Sequence, residues 1–181
     1  MRGEQRVLLG INLVGGVAVL GSYAWGALAQ PAAMGALWGG VPEAARGLYV
    51  ANMFVAAFGY FLFTAYILFR LLPDVAELAG RSTLFVLASL YIAILLPSAL
   101  WLPLTAWMVE SPSTLLWWLV KADLALVALG SAGLLAMLCL LEAEKRARGH
   151  ALAVLGLLAF CLQTVVLDAI VWPLYFPTGS G

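Results

Sequence analysis

Five long apolar runs dominate this chain of 181 residues. Each is long enough to cross the roughly 30 Å of bilayer hydrocarbon as a helix, which takes about 20 apolar residues. None alternates polar and apolar positions as the strands of a membrane β-barrel do. We therefore predict an all-α integral membrane protein, a five-transmembrane-helix bundle that forms a single domain over residues 1–181. The predicted helices span residues 7–29, 48–72, 84–109, 115–141 and 151–176.

Composition excludes several classes of function. Charged residues make up 10% of the chain, against about a quarter in soluble domains, and the net charge is zero, so no basic field attracts nucleic acid. His150 is the single histidine, and Cys139 and Cys161 are the two cysteines, which excludes multi-histidine metal sites and cysteine-bound clusters. We find no serine–histidine–acid set and no phosphate-binding glycine loop. The sequence predicts no catalytic residue, no metal and no cofactor, and thus a protein that is not an enzyme.

Lysine and arginine are unevenly distributed between the two ends of the predicted bundle. Only Arg46 and Lys121 fall on one side. The other side carries Arg2, Arg6, Arg70, Arg81, Lys145, Arg146 and Arg148. By the positive-inside rule the amino terminus is cytoplasmic and the carboxyl terminus outside, most simply in a bacterial inner membrane. As an alternative, the first run is a cleavable signal peptide, which leaves four helices in the same orientation.

Two charged residues lie inside apolar runs and need partners there. Asp168 lies about two turns before the end of the fifth run, and Lys121 lies near the start of the fourth, so both belong to the outer half of the membrane. An ion pair between Lys121 and Asp168 is geometrically feasible and would mark a ligand or proton site. The simpler interpretations are that the pair ties two helices together, or that Lys121 extends to the headgroups.

Other polar and aromatic residues fall at the same depth as Asp168. Thr164 and Asp168 are one α-helical turn apart, and Pro97 and Pro103 are expected to kink the third helix around Trp101. Such a group can line an aromatic-walled cavity for a small molecule, or supply ordinary interhelical hydrogen bonds. The predicted ligand-binding residues are Asn52, Trp101, Thr105, Thr164 and Asp168.

Four tryptophans near the predicted outer ends fit a belt at the membrane surface. They are Trp107, Trp117, Trp118 and Trp172. Trp101 lies deeper, so it is the tryptophan that we expect to contact a ligand.

Trp101 and Pro103 within Ala99–Leu104, together with Asp123 within Ala122–Leu126, resemble the TspO/MBR family of tryptophan-rich sensory or translocator proteins. Five helices, the chain length and the abundance of tryptophan are also similar. Ser98 and Thr105 stand where that family has an asparagine and an aromatic residue. The resemblance implies a porphyrin- or sterol-like apolar ligand held within the bundle.

Three functions follow as hypotheses. The first is a sensor- or transporter-like membrane protein that binds a hydrophobic small molecule in an outer-half cavity. The alternative is a structural or assembly subunit of a larger membrane complex, or a homodimer, since small residues recur every four positions on two helices. These rows are Ala18, Ser22 and Gly26, and Ala128, Ala132 and Ala136. The third is proton-coupled transport through Asp168, against which stands the lack of charge in the inner halves of the spans.

Overall fold

The computed structural model describes residues 3–73, 81–141 and 148–176, and this part of the chain contains helices and no strand. The α-helices are α1 (Gly3–Ala29), α2 (Pro31–Ala36), α3 (Glu43–Tyr66), α4 (Arg81–Glu110), α5 (Thr114–Leu141), α6 (Arg148–Cys161) and α7 (Trp172–Tyr175). A π-helical turn, Ile67–Leu71, extends α3, and a longer π-helical segment, Leu162–Val171, joins α6 to α7. Among the described residues, five helical stretches are long and apolar enough to cross a membrane, which confirms the predicted all-helical fold with five apolar spans.

Helix boundaries follow local chemistry. Helix α3 begins at Glu43, earlier than predicted, because Pro42 is extended and the chain enters the helix directly after it; the acidic side chain favours a helix amino terminus. The short helix α2 was not predicted, although Pro31 at its first position is typical of a helix start. Several residues singled out in the sequence, including Arg2, Lys145 and Arg146, lie outside the described residues.

The spans pack in an order different from their order in the chain. Helix α1 lies along α4, α4 along α5, and α5 against α6 and the π-helical segment, while α3 packs along α6. Helix α3 returns to α1 near the amino terminus, where Gln5 donates a hydrogen bond to the Leu68 carbonyl. Because the five described spans run alternately up and down, Gly3 and Phe176 lie at opposite ends of the bundle. We call the half that contains Gly3 the amino-terminal half and the half that contains Phe176 the carboxy-terminal half.

Two glycines meet where α3 crosses α6. A Cβ added at Gly59 on α3 would overlap the Gly156 carbonyl oxygen on α6. The two backbones therefore touch, as small residues permit in membrane helices. On α5, by contrast, Gly130 packs against α4, whereas Ala132 and Ala136 from the predicted small-residue row are exposed.

Buried apolar side chains form two clusters, one in each half. The amino-terminal core consists of Leu8, Phe63, Ile67, Leu68, Leu71, Leu72, Leu87, Tyr91, Ile94, Leu95, Val127, Leu134, Leu138, Ala153 and Leu157. The aromatic core of the carboxy-terminal half consists of Val41, Tyr49, Met108, Leu116, Val120, Leu124, Trp172 and Phe176, with Trp38, Trp101 and Trp117 packed against it. Most of the predicted site residues lie beside the aromatic core.

Candidate functional site

A chain of polar side chains links α3 to the π-helical segment in the carboxy-terminal half. The Asn52 amide donates a hydrogen bond of 3.0 Å to Gln163 Oε1, and Gln163 Nε2 donates one of 2.8 Å to Asp168 Oδ1. Gln163 is buried, while Asn52 and Asp168 are half-buried. Gln163 thus binds the Asp168 carboxylate within the π-helical segment. Asn52 on the neighbouring helix α3 in turn binds Gln163.

The π-helical geometry of Leu162–Val171 makes this chain feasible. Its backbone bonds join residues five positions apart, so residues five apart, such as Gln163 and Asp168, share a face. The predicted grouping of Thr164 with Asp168 assumed α-helical spacing. In the structure Thr164 faces α5 instead, and its hydroxyl lies 2.7 Å from the hydroxyl of Ser131. Single π-turns are often found at functional sites, and this segment is longer than one turn.

Tyr49 on α3 contacts the π-helical segment next to Asp168. Its hydroxyl donates a hydrogen bond of 3.1 Å to the Leu167 carbonyl. Helix α3 therefore holds this segment at two points, through Tyr49 and through the bond from Asn52 to Gln163.

Trp101 on α4 has a buried hydrogen-bond donor without a partner among the described residues. Its ring packs on Tyr23 at 6.5 Å and on Trp172 at 5.9 Å between centroids. Its indole nitrogen is buried and has no hydrogen-bond partner among the described residues. The indole nitrogen of Trp172, by comparison, donates to the Leu37 carbonyl at 2.8 Å. Thr105 is fully buried and donates to the Trp101 carbonyl, so its hydroxyl is already used.

The burial of Trp172 differs from its predicted place in a surface belt. Only 5% of this side chain is exposed, because the chain beyond the π-helical segment turns its ring onto Phe176, 4.5 Å away between centroids. Trp107 and Trp118, in contrast, are exposed at the same end of the bundle. One tryptophan of the expected belt is thus part of the aromatic core.

Asp123 on α5 is a second buried carboxyl group in this half. It is 6% exposed, and its Oδ2 has no hydrogen-bond partner in the part of the chain that the structure describes. Val120 and Leu124, on either side of it along the buried face of α5, belong to the aromatic core. A buried polar atom without a partner is costly and asks for an explanation, such as an ion or ligand.

In the carboxy-terminal half, the cationic side chains Lys121 and Arg46 contact aromatic rings and a backbone carbonyl. The Lys121 ammonium lies 3.3 Å from the ring centroid of Trp118. Arg46 donates to the Val41 carbonyl and lies over Trp38. Lys121 and Asp168, the predicted ion pair, therefore have different partners in the structure.

Two apolar recesses lie away from this group. One, of about 460 Å³, lies between α1 and α4 and is lined by residues such as Val14 and Leu95. The other, of about 540 Å³, lies between α5 and the α6 stretch and includes Ala132, Cys139 and Cys161. Neither is lined by a predicted ligand-binding residue. No cluster of three metal-ligating side chains is present among the described residues.

The structure thus links Asn52 to Asp168 through Gln163. Trp101 packs on Tyr23 and Trp172, and Thr105 binds the Trp101 backbone. Thr164 belongs to a separate contact with Ser131. Gln163, which connects the group, was missed, although an amide in the middle of an apolar run is itself a signal.

Tyr23 was also missed, because nothing in the sequence indicates that α1 packs on α4. Comparison with protein-family models, with curated proteins and with solved structures gives no significant match. The resemblance to the TspO/MBR family therefore stays a prediction.

Proposed function

We propose that this protein binds a hydrophobic small molecule in its carboxy-terminal half, between Trp101 and Asp168, as a sensor- or transporter-like membrane protein. The observation that carries the proposal is the buried indole N–H of Trp101, which has no partner among the described residues. A donor left unpaired in a low-dielectric interior costs free energy, and a ligand with an acceptor group would recover it.

The surroundings support the same function. Small-molecule sites combine aromatic walls with a few polar groups that set the orientation of the ligand. Tyr23 and Trp172 flank Trp101 with their rings, and the chain from Asn52 to Asp168 provides the polar side. The porphyrin- or sterol-like ligand implied by the resemblance is the first class to test.

The test is titration of the full chain in lipid nanodiscs with protoporphyrin IX and with cholesterol. We expect tryptophan fluorescence to be quenched by the porphyrin and perturbed by the sterol. Trp101→Phe keeps the ring and removes the N–H, and it should weaken binding about tenfold, as loss of one buried hydrogen bond implies. Trp107→Phe is the matched control, since Trp107 lies on the same helix and is exposed.

Equal affinities in the wild type and Trp101→Phe would contradict the proposed site. Absence of binding by every member of a panel of apolar ligands would contradict the function itself. Empty nanodiscs, titrated in parallel, separate binding to the protein from partition into lipid.

We further infer the orientation from charge: the amino-terminal half faces the cytoplasm of a bacterial inner membrane. Arg70 on the π-helical turn supports it, as do the excess cations of the same end. Single cysteines in place of Arg6 and of Glu43, in a background without Cys139 and Cys161, should react with an impermeant maleimide from opposite sides. Labelling of the Arg6 position from outside intact cells would overturn this orientation.

A second candidate function is that of a subunit in a membrane complex, and one observation favours it. The recess between α5 and the α6 stretch is lined by exposed small side chains, Ala132 and Ala136, which let another helix approach closely. Purification in a mild detergent should then yield partners in fixed proportion. A monodisperse single chain would count against this candidate.

A further inference from the structure

We propose that the ligand of this site is a neutral alcohol with an aromatic body, and that its hydroxyl group binds between Trp101 on α4 and Asp123 on α5. The hydroxyl oxygen accepts a hydrogen bond from the Trp101 indole N–H, and the hydroxyl hydrogen is donated to Asp123 Oδ2. This inference rests on the proposed function and names the chemical class of its ligand.

The first step is that Trp101 and Asp123 lie at the same level of two helices that pack together. A Cβ added at Gly130 on α5 would lie 2.8 Å from Ile94 Cγ1 on α4, so these two residues meet at the interface. Helices α4 and α5 are joined by a short loop and run in opposite directions. Trp101 follows Ile94 by seven residues, and Asp123 precedes Gly130 by seven. Both therefore lie about 10 Å from that contact, towards the carboxy-terminal half.

The second step is that the two residues face the same interface. Seven residues make nearly two full turns of an α-helix, so residues with this spacing share a face. Trp101 therefore shares a face of α4 with Ile94, and Asp123 shares a face of α5 with Gly130, the two residues that meet. Trp101 packs against the aromatic core, and Asp123 lies between two members of that core along α5.

The third step is that the two side chains carry complementary polar atoms. Trp101 Nε1 is a donor and Asp123 Oδ2 is an acceptor. Both atoms are buried, and neither has a hydrogen-bond partner among the described residues. Each unpaired atom costs free energy in the interior of the bundle. Because the two atoms lie at one level of one interface, a single group from outside the chain can pair with both.

The fourth step is the choice of that group. An ammonium ion donates but cannot accept the Trp101 N–H, and an ether or ester oxygen accepts but cannot donate to Asp123. A hydroxyl group does both through one oxygen atom. It is also uncharged, which suits a site beside the apolar members of the aromatic core. The rings of Tyr23 and Trp172, which pack on Trp101, favour an aromatic body next to the hydroxyl.

A bound water molecule offers the same hydroxyl chemistry and is the other source of such a group. The two sources differ in what they predict for binding. A ligand that brings the hydroxyl itself binds more weakly when this group is methylated or removed. A permanently bound water makes binding insensitive to that change. The experiment therefore varies one hydroxyl group on a fixed aromatic body.

The test uses three compounds with the same naphthalene body, substituted at the same ring carbon. Naphthylmethanol donates and accepts, its methyl ether only accepts, and methylnaphthalene does neither. Binding of each to the full chain in lipid nanodiscs is measured by calorimetry and corrected with empty nanodiscs. We expect the wild type to bind the alcohol about tenfold more tightly than the ether, and the ether about fivefold more tightly than the hydrocarbon, since each step removes one buried hydrogen bond.

Two variants assign the two hydrogen bonds separately. Asp123→Leu removes the acceptor at similar volume, and it should reduce the preference for the alcohol over the ether to about twofold or less. Trp101→Phe removes the donor, and it should reduce the preference for the ether over the hydrocarbon to the same extent. Glu110→Gln is the matched control, because Glu110 is an exposed carboxylate on α4 at the same end of the bundle; it should leave all three affinities unchanged.

Equal binding of the alcohol and the ether by the wild type would overturn the inference, and this comparison needs no variant to fold. A preference for the alcohol that persists in Asp123→Leu would overturn the assignment of Asp123. If protoporphyrin IX or cholesterol binds in a Trp101-dependent way while the three naphthalene compounds bind equally or not at all, the proposed function holds and this inference fails. If no compound binds, both fail.

Discussion

The two halves of the bundle differ in how their buried polar groups are paired. In the amino-terminal half, Tyr60 on α3 donates to the Asn12 side chain on α1, and Tyr91 on α4 donates to Thr64 on α3 at 3.0 Å, so these hydroxyl groups tie neighbouring helices together. In the carboxy-terminal half, Trp101 and Asp123 each hold a buried polar atom that has no partner within the described residues. These unpaired atoms lie in the half where we propose that a ligand binds.

This difference has a physical basis in what surrounds each half. The amino-terminal half contains the Gly59–Gly156 contact, where two backbones touch and no room is left. The carboxy-terminal half contains large rings and a π-helical segment, whose altered spacing redirects side chains. Proteins commonly tolerate local energetic costs where function needs them. Substitution at the glycine crossing should therefore lower stability more than substitution of polar groups in the carboxy-terminal half.

The largest effect is expected at the glycine crossing. Gly59→Ala places a Cβ where it overlaps the Gly156 carbonyl oxygen, so α3 and α6 must separate. We expect a loss of about 3 kcal/mol in the free energy of unfolding, at the upper end for overpacked sites. Unfolding in mixed micelles with increasing sodium dodecyl sulfate measures it. Gly21→Ala is the control, since its Cβ would meet nothing within 4 Å, and it should be neutral or raise stability by up to about 1 kcal/mol.

A smaller loss of stability is expected at Gln163, the centre of the hydrogen-bonded side chains that run from Asn52 to Asp168. Gln163→Leu removes the acceptor of Asn52 and the donor to Asp168. Leaving these two groups unpaired should cost about 2 kcal/mol in the same unfolding measurement. Ser22→Ala, which removes a hydroxyl bonded only to the Val19 carbonyl of its own helix, should change stability by less than about 0.5 kcal/mol. Equal effects of the two substitutions would show that the chain does not hold the helices together.

The smallest effect on stability is expected when two tryptophans of the carboxy-terminal half, Trp172 and Trp101, are compared. Trp172→Phe removes a donor that is bonded to the Leu37 carbonyl and should lower the free energy of unfolding by about 1 kcal/mol. Trp101→Phe removes an unpaired donor and should leave stability unchanged or slightly raised. A loss at Trp101 equal to that at Trp172 would mean that Trp101 serves packing, and the contrast between the halves would weaken.

Most of the architecture follows from patterns that need no tertiary information. A run of more than about 20 apolar residues has few alternatives to a membrane helix, and all five predicted runs correspond to helical stretches. That Asp168 binds a polar partner was also predictable, because polar groups in an apolar run must find partners. The identity of the partner could not be predicted, because residues on one helix face were assigned with α-helical spacing, whereas Leu162–Val171 is π-helical.

The sequence by itself thus determined the all-helical class and the five apolar spans, because hydrophobicity acts along the chain. Tertiary structure decided that Gln163 rather than Thr164 joins Asp168, because a π-helix aligns residues five apart. It also decided that α1 packs on α4, which brings Tyr23 to Trp101. Which helices become neighbours depends on how all five fit together, and no local pattern contains that information.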